Sequence, residues 1–103
     1  MVIAIDFDGV LHQYDLPKEG RKMGPPINGA RQAMLSLKAM GHHLMIFSCN
    51  RESVIADWMN YYKIPFDEIW TGQGKPSYDL LIDDKAIHFN GSWSDALMEV
   101  ANA

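Results

Sequence analysis

Apolar residues along this chain fall into two patterns. Short continuous runs, Val2-Ile3-Ala4-Ile5, Leu44-Met45-Ile46-Phe47 and Leu80-Leu81-Ile82, are too brief for helices. They suit strands buried on both faces, as in a parallel sheet covered by helices. Between the runs the spacing becomes helical. Ile27, Ala30, Met34 and Leu37 share one face, with Pro26 or Asn28 at the start and Gly41 placed as a left-handed stop. Ile55, Trp58, Met59 and Tyr62 recur at i, i+3, i+4, i+7, which predicts a helix over about 51–63, ended before Pro65. Ser92 followed by Asp95 resembles a capping box, and Trp93, Ala96, Leu97 and Val100 make a short last helix.

Two weaker strand signals complete the pattern: Asp67-Glu68-Ile69-Trp70 and an edge strand over Ala86-Ile87-His88-Phe89. Strands separated by helices imply right-handed crossovers and a mainly parallel sheet of about five strands. The expected fold class is therefore α/β, a single three-layer Rossmann-like domain over residues 1–103 with no cap domain. Residues 9–26, rich in Gly and Pro, read as a long loop whose part from about 12 to 25 forms a flap.

Composition changes this picture little. The chain has 103 residues, enough for one core, and 21 % charged residues, ordinary for a globular domain. A net charge of −4 argues against a general nucleic-acid-binding surface, leaving nucleic acid only as a substrate. The single cysteine, Cys49, permits no internal disulfide and suits a reducing compartment. Without an apolar run of about 18 residues or a signal-like N-terminus, no membrane association and a cytoplasmic location are expected.

The chemistry lies at the strand ends. Asp6 and Asp8 follow the first run, Ser48 the second, and Asp83 and Asp84 the third, with Lys75 in the loop before it. In a parallel sheet these ends share one edge, where open α/β folds bind ligands. A carboxylate can attack phosphorus, which makes Asp6 the nucleophile. Asp8, two residues on, suits the general acid and then the general base. Clustered carboxylates call for a hard cation such as Mg²⁺, with Asp6, Asp84 and the backbone carbonyl near Asp8 as ligands. The Ser48 hydroxyl and the N–H groups near Cys49 and Asn50 would bind phosphate at a helix N-terminus, and Lys75 adds a positive charge. This set fits phosphoryl transfer.

The four motifs, Asp6-Phe7-Asp8-Gly9, Ser48, Lys75 and Asp83-Asp84, resemble in type and order those of the haloacid dehalogenase (HAD) superfamily of phosphatases. The resemblance spans nearly the whole chain. It implies Asp6 as nucleophile, Asp8 as acid/base, Ser48 and Lys75 as phosphate binders, and Asp83 and Asp84 as part of the Mg²⁺ site, with Asp84 favoured as direct ligand. More narrowly, Ile64-Pro65-Phe66-Asp67-Glu68-Ile69, Gly74-Lys75-Pro76 and Leu81-Ile82-Asp83-Asp84-Lys85-Ala86 resemble small bacterial and phage HAD phosphatases, some described as capsule-biosynthesis phosphatases. Val10 stands where many members have Thr. Neither the loop after Asp8 nor the segment between Ser48 and Lys75 has room for a cap domain.

An uncapped site admits large substrates, so the expected partner is a phosphorylated small molecule or polymer end, and a second subunit is one source of water exclusion. Lys18, Arg21 and Lys22 on the flap, Arg51 after Ser48, and His12 past the turn are candidate substrate contacts. Against each stands a plainer reading: a solvated loop for the three flap residues, and a surface position for His12. Cys49 reads as a small filler rather than a nucleophile. His42 and His43 lie at the far end of their strand, and His88 has no partner at a zinc-ligand spacing. Trp58, Tyr61, Tyr62, Met34 and Met59 read as core, and Trp70 and Trp93 as packing residues. A receiver-type signalling domain would carry its acidic pair first and its phosphoacceptor later, the reverse of this order. A dehalogenase would not need Asp8. The expected function is thus a Mg²⁺-dependent phosphatase hydrolysing a phosphate monoester through an aspartyl-phosphate. The alternative is a non-catalytic phosphate- or metal-binding module of the same fold.

Overall fold

A computed structural model describes residues 1–12, 24–48, 51–70, 72, 76–86 and 88–102. Its elements, in order, are β1 (Val2–Asp6), α1 (Ala30–Ala39), β2 (His43–Phe47), α2 (Glu52–Tyr61), β3 (Glu68–Trp70), β4 (Leu80–Ile82) and α3 (Trp93–Ala101). The strands form one parallel sheet in the order β3-β2-β1-β4. β1 is central, with Ile3 and Ile5 beside Leu44 and Ile46 of β2 on one side and Leu80 and Ile82 of β4 on the other.

Side chains alternate across each strand, so Ile3, Ile5, Leu44 and Ile46 share a face. With Met34 of α1 and Ile55, Trp58 and Met59 of α2 they make the core. Each such aliphatic side chain contributes about 1.5–3 kcal/mol on burial. Gly41 ends α1 as its position predicts: at φ 87° its N–H donates to the Lys38 carbonyl, and the His42 N–H donates to that of Leu37. α2 ends the same way without a glycine. Lys63 sits at φ 56°, with its N–H on the Asn60 carbonyl and that of Ile64 on the Met59 carbonyl.

Asp67 ties these layers together. Its carboxylate accepts from the Leu44 N–H at 2.7 Å and from Lys38 Nζ at 2.7 Å, joining the start of β3 to β2 and α1. Burial raises the Asp67 pKa, but the Leu44 N–H and then the Lys38 ammonium outweigh it and hold the carboxyl below its ordinary 3.8.

The sheet has four described strands, not about five. The expected edge strand over 86–89 does not form at its described residues, and the reason is local. The Asp83 carboxylate accepts from the N–H groups of Lys85 and Ala86, at 2.6 and 3.0 Å, and turns the chain away as β4 ends. β4 is therefore an edge, and it is not the buried strand its apolar run predicts: Leu80 and Ile82 are 51 and 44 % exposed. Tyr61 and Trp93, read as core and packing residues, are exposed at 78 and 72 %. Among the described residues, no helix is long and apolar enough to cross a membrane. The expected flap falls almost wholly on residues 13–23, outside the described residues.

Candidate active site

Because all four strands run parallel, their C-terminal ends lie on one edge. Asp6 closes β1, Ser48 follows β2, and Asp83 and Asp84 follow β4. Since β1 lies between β2 and β4, Asp6 is central among them. One carboxylate oxygen from each of Asp6, Asp83 and Asp84 lies within 4.8 Å of the others. Asp6 Oδ1 also accepts from the Phe7 N–H at 2.8 Å.

Its position at the half-buried end of the central strand perturbs Asp6. Burial pushes Asp6 up from its ordinary 3.8 to about 6; the Phe7 N–H works against this, and the neighbouring charges of Asp83, Asp84 and Asp8 add to it. The donor set, all hard oxygens, fits a divalent cation such as Mg²⁺.

Asp8 is absent from that trio. Its Oδ1 lies 2.6 Å from His12 Nε2. The loop between them is tight: the Phe7 carbonyl accepts from the N–H groups of Leu11 and His12, and the Gly9 N–H donates back to the His12 carbonyl. Gly9 adopts φ 79°, a conformation that a residue with a Cβ rarely takes. His12 is 3 % exposed, which corrects the surface reading. Its ring stands 4.6 Å from that of Phe7 and 6.0 Å from that of Trp58, and Phe7 and Trp58 meet edge-to-face at 5.1 Å. The Trp58 indole N–H donates to the Gly24 carbonyl at 3.1 Å. α2 thus braces both ends of the expected flap.

Helical spacing assigns Trp58 to the core, which is correct, but does not show that it buttresses the acid/base loop. The available signal was His12 four residues beyond Asp8, across a glycine turn. Of the other expected contacts, Ser48 is half-buried at the end of β2 and Arg51 is exposed at the start of α2. Cys49, Asn50 and Lys75, and the flap residues Lys18, Arg21 and Lys22, lie outside the described residues. His42 and His43 are at the opposite end of β2, where His43 pairs with Glu68 and His42 meets the N-terminal amine.

No family model matches the chain, and no curated relative does. Among solved structures, it is similar to a conserved protein from Bacteroides thetaiotaomicron at 23 % identity, covering 99 % of this chain and 90 % of that one with a TM-score of 0.68. At that identity the likeness is one of fold.

Proposed function

We propose that this chain is a Mg²⁺-dependent phosphomonoesterase of the HAD type, with a Rossmann-like layering and no cap domain. The observation that carries the reading is the meeting of Asp6, Asp83 and Asp84 at one sheet edge, with Asp8 beside them on a separate hydrogen bond to His12. Four carboxylates in two environments suit two jobs: one group holds a cation and presents a nucleophile, the other handles a proton.

Asp6 attacks the phosphorus of a phosphate ester through a carboxylate oxygen. The bond from phosphorus to the ester oxygen breaks, and protonated Asp8 gives its proton to the departing alkoxide. A water then attacks the aspartyl-phosphate and loses its proton to Asp8. The bond between phosphorus and Asp6 breaks, releasing phosphate and restoring the carboxylate. The His12 Nε2 contact at Asp8 Oδ1 orients the carboxyl that carries the proton. Asp6, Asp84 and Asp83 would hold a Mg²⁺ ion, which would neutralise charge on the phosphoryl oxygens. In this reading Ser48, at the end of β2, binds the phosphate together with Lys75 and the N–H groups near Cys49 and Asn50. A phosphorylated small molecule or polymer end is the proposed substrate class, in a cytoplasmic setting.

Hydrolysis of an aryl phosphate with and without Mg²⁺, in wild type and Asp6→Asn, tests the reading. Metal-dependent turnover that the substitution abolishes supports it. Turnover without metal, or full activity in the variant, overturns the mechanism. Inactivity on every phosphate ester with Mg²⁺ binding intact favours a binding module.

A further inference from the structure

α3 is an amphipathic helix whose apolar face is uncovered apart from the Phe89 ring, 5.0 Å from that of Trp93. Trp93, Leu97 and Val100 fall at i, i+4 and i+7, on one face, and are 72, 66 and 61 % exposed; Met98 beside them is 63 % exposed. Among the described residues, α3 touches none of the other helices or strands. Its start is nonetheless well made. Ser92 Oγ accepts from the Asp95 N–H, Asn90 Nδ2 donates to the Asp95 carboxylate, and Asn90 Oδ1 accepts from the Ser92 N–H.

The sheet carries the matching vacancy. A groove of about 270 Å³ runs between α1 and β4. Ala30, Ala33, Met34 and Leu37 form one wall, and Ile5 and Ile82 the floor. Leu80 shares the Ile82 face of β4, one pleat away. Parallel sheets bury both faces under helices, and this strip of the α1 face has no helix over it. One chain therefore holds both an uncovered apolar helix and an uncovered apolar groove.

In the fold α3 stands clear of its own sheet: Trp93, Leu97, Met98 and Val100 stay 61–72 % exposed, and the helix meets none of the other described helices or strands. Asp83 fixes the turn as β4 ends, and the Asn90, Ser92 and Asp95 bonds fix the entry to α3. Standing off its own sheet, α3 offers its apolar face to another molecule. We propose that α3 of one copy fills the groove between α1 and β4 of a second copy, and the reverse, in a two-fold dimer. The exchange is self-complementary, and each copy gives one helix and receives one, so assembly closes at two. Size agrees: a fully buried aromatic covers about 150–250 Å². Trp93 and Phe89, 72 and 49 % exposed, with Leu97, Met98 and Val100 of the arm and Leu80 and Ile82 beside the groove, 44–66 % exposed, give each copy several hundred Å² to bury, the order of the roughly 800 Å² per partner of a standard interface. The inference is independent of the phosphatase reading.

The test is the solution mass of the full chain by light scattering across a concentration series, with disulfide trapping. In a Cys49→Ser background, Ala33→Cys on the groove wall is combined with Leu97→Cys on α3. The expected results are a species of twice the chain mass, and a covalent dimer on oxidation that neither single cysteine gives to the same extent. Trp93→Glu with Leu97→Glu should yield a monomer with unchanged helix content, because the helix contributes no core. A monomer at every concentration, a cross-link formed within one chain, or a dimer that survives the double Glu variant each overturns the proposal.

Discussion

His12 places Nε2 2.6 Å from Asp8 Oδ1 from a position almost wholly shielded from water. An imidazole with its proton on Nε2 donates to that oxygen and holds the carboxyl in one orientation for proton transfer. His12→Ala should lower kcat/KM on an alkyl phosphate about 100-fold, within the range of general acid catalysis. The loss on an aryl phosphate, whose leaving group needs no proton, should be several-fold smaller. His12→Gln, which keeps a donor, should recover part of the difference. Equal losses on both substrates would make His12 a packing residue only.

Asp6 carries a cost in the metal-free chain. Its pKa is about 6 in the fold against an ordinary 3.8, so between those values the folded state binds more protons than the unfolded one. Stability from this group is thus present below about pH 4 and falls as pH rises through about 6. Asp6→Asn should melt higher than wild type above pH 7 without metal, and nearly together with it near pH 4. Thermal denaturation at both pH values checks this, and comparing the two proteins cancels the opposite dependence of Asp67.

Added Mg²⁺ should relieve the same repulsion. Wild type should gain melting temperature on titration with Mg²⁺ above pH 7, in proportion to the logarithm of its concentration once the site is saturated. Asp84→Asn should abolish the gain. Asp83→Asn should weaken it and also lose the turn after β4. A gain unchanged in both variants would place the ion elsewhere.

Lys63 holds a left-handed conformation that costs a residue with a side chain about 1–2 kcal/mol. Lys63→Gly should stabilise the chain by about 0.5–1 kcal/mol after the greater entropy of unfolded glycine is subtracted. Urea denaturation measures it, and activity should not change.

Much of this was readable from residues alone. The apolar runs of β1 and β2 and the helical spacing of α1 and α2 reported burial faithfully, because their apolar residues meet in one core. The run of β4 misled, because Leu80-Leu81-Ile82 states a preference for burial and says nothing about which helix supplies it. The edge strand after it was lost to a side chain, Asp83, that competes for backbone donors. At the site, strand ends are additive in a parallel sheet, so Asp6, Ser48, Asp83 and Asp84 were predictable from order. The His12 contact depends on a turn five residues long, Asp8 to His12, with Gly9 at φ 79°, a local backbone choice that residue spacing does not reveal.

The central position of β1 carries a further consequence for synthesis. Its β2 edge is satisfied once residue 47 emerges, but its β4 edge waits for Leu80, and the Val2 N–H finds the Asp79 carboxylate 77 residues later. At roughly 5–20 residues per second, that leaves a central strand half-paired for several seconds during translation. The acidic cluster cannot assemble earlier either, since Asp83 and Asp84 are made after every other strand. A nascent chain stalled before residue 80 should therefore be both incomplete as a sheet and blind to metal, a state in which a ribosome-associated chaperone would find β1 exposed.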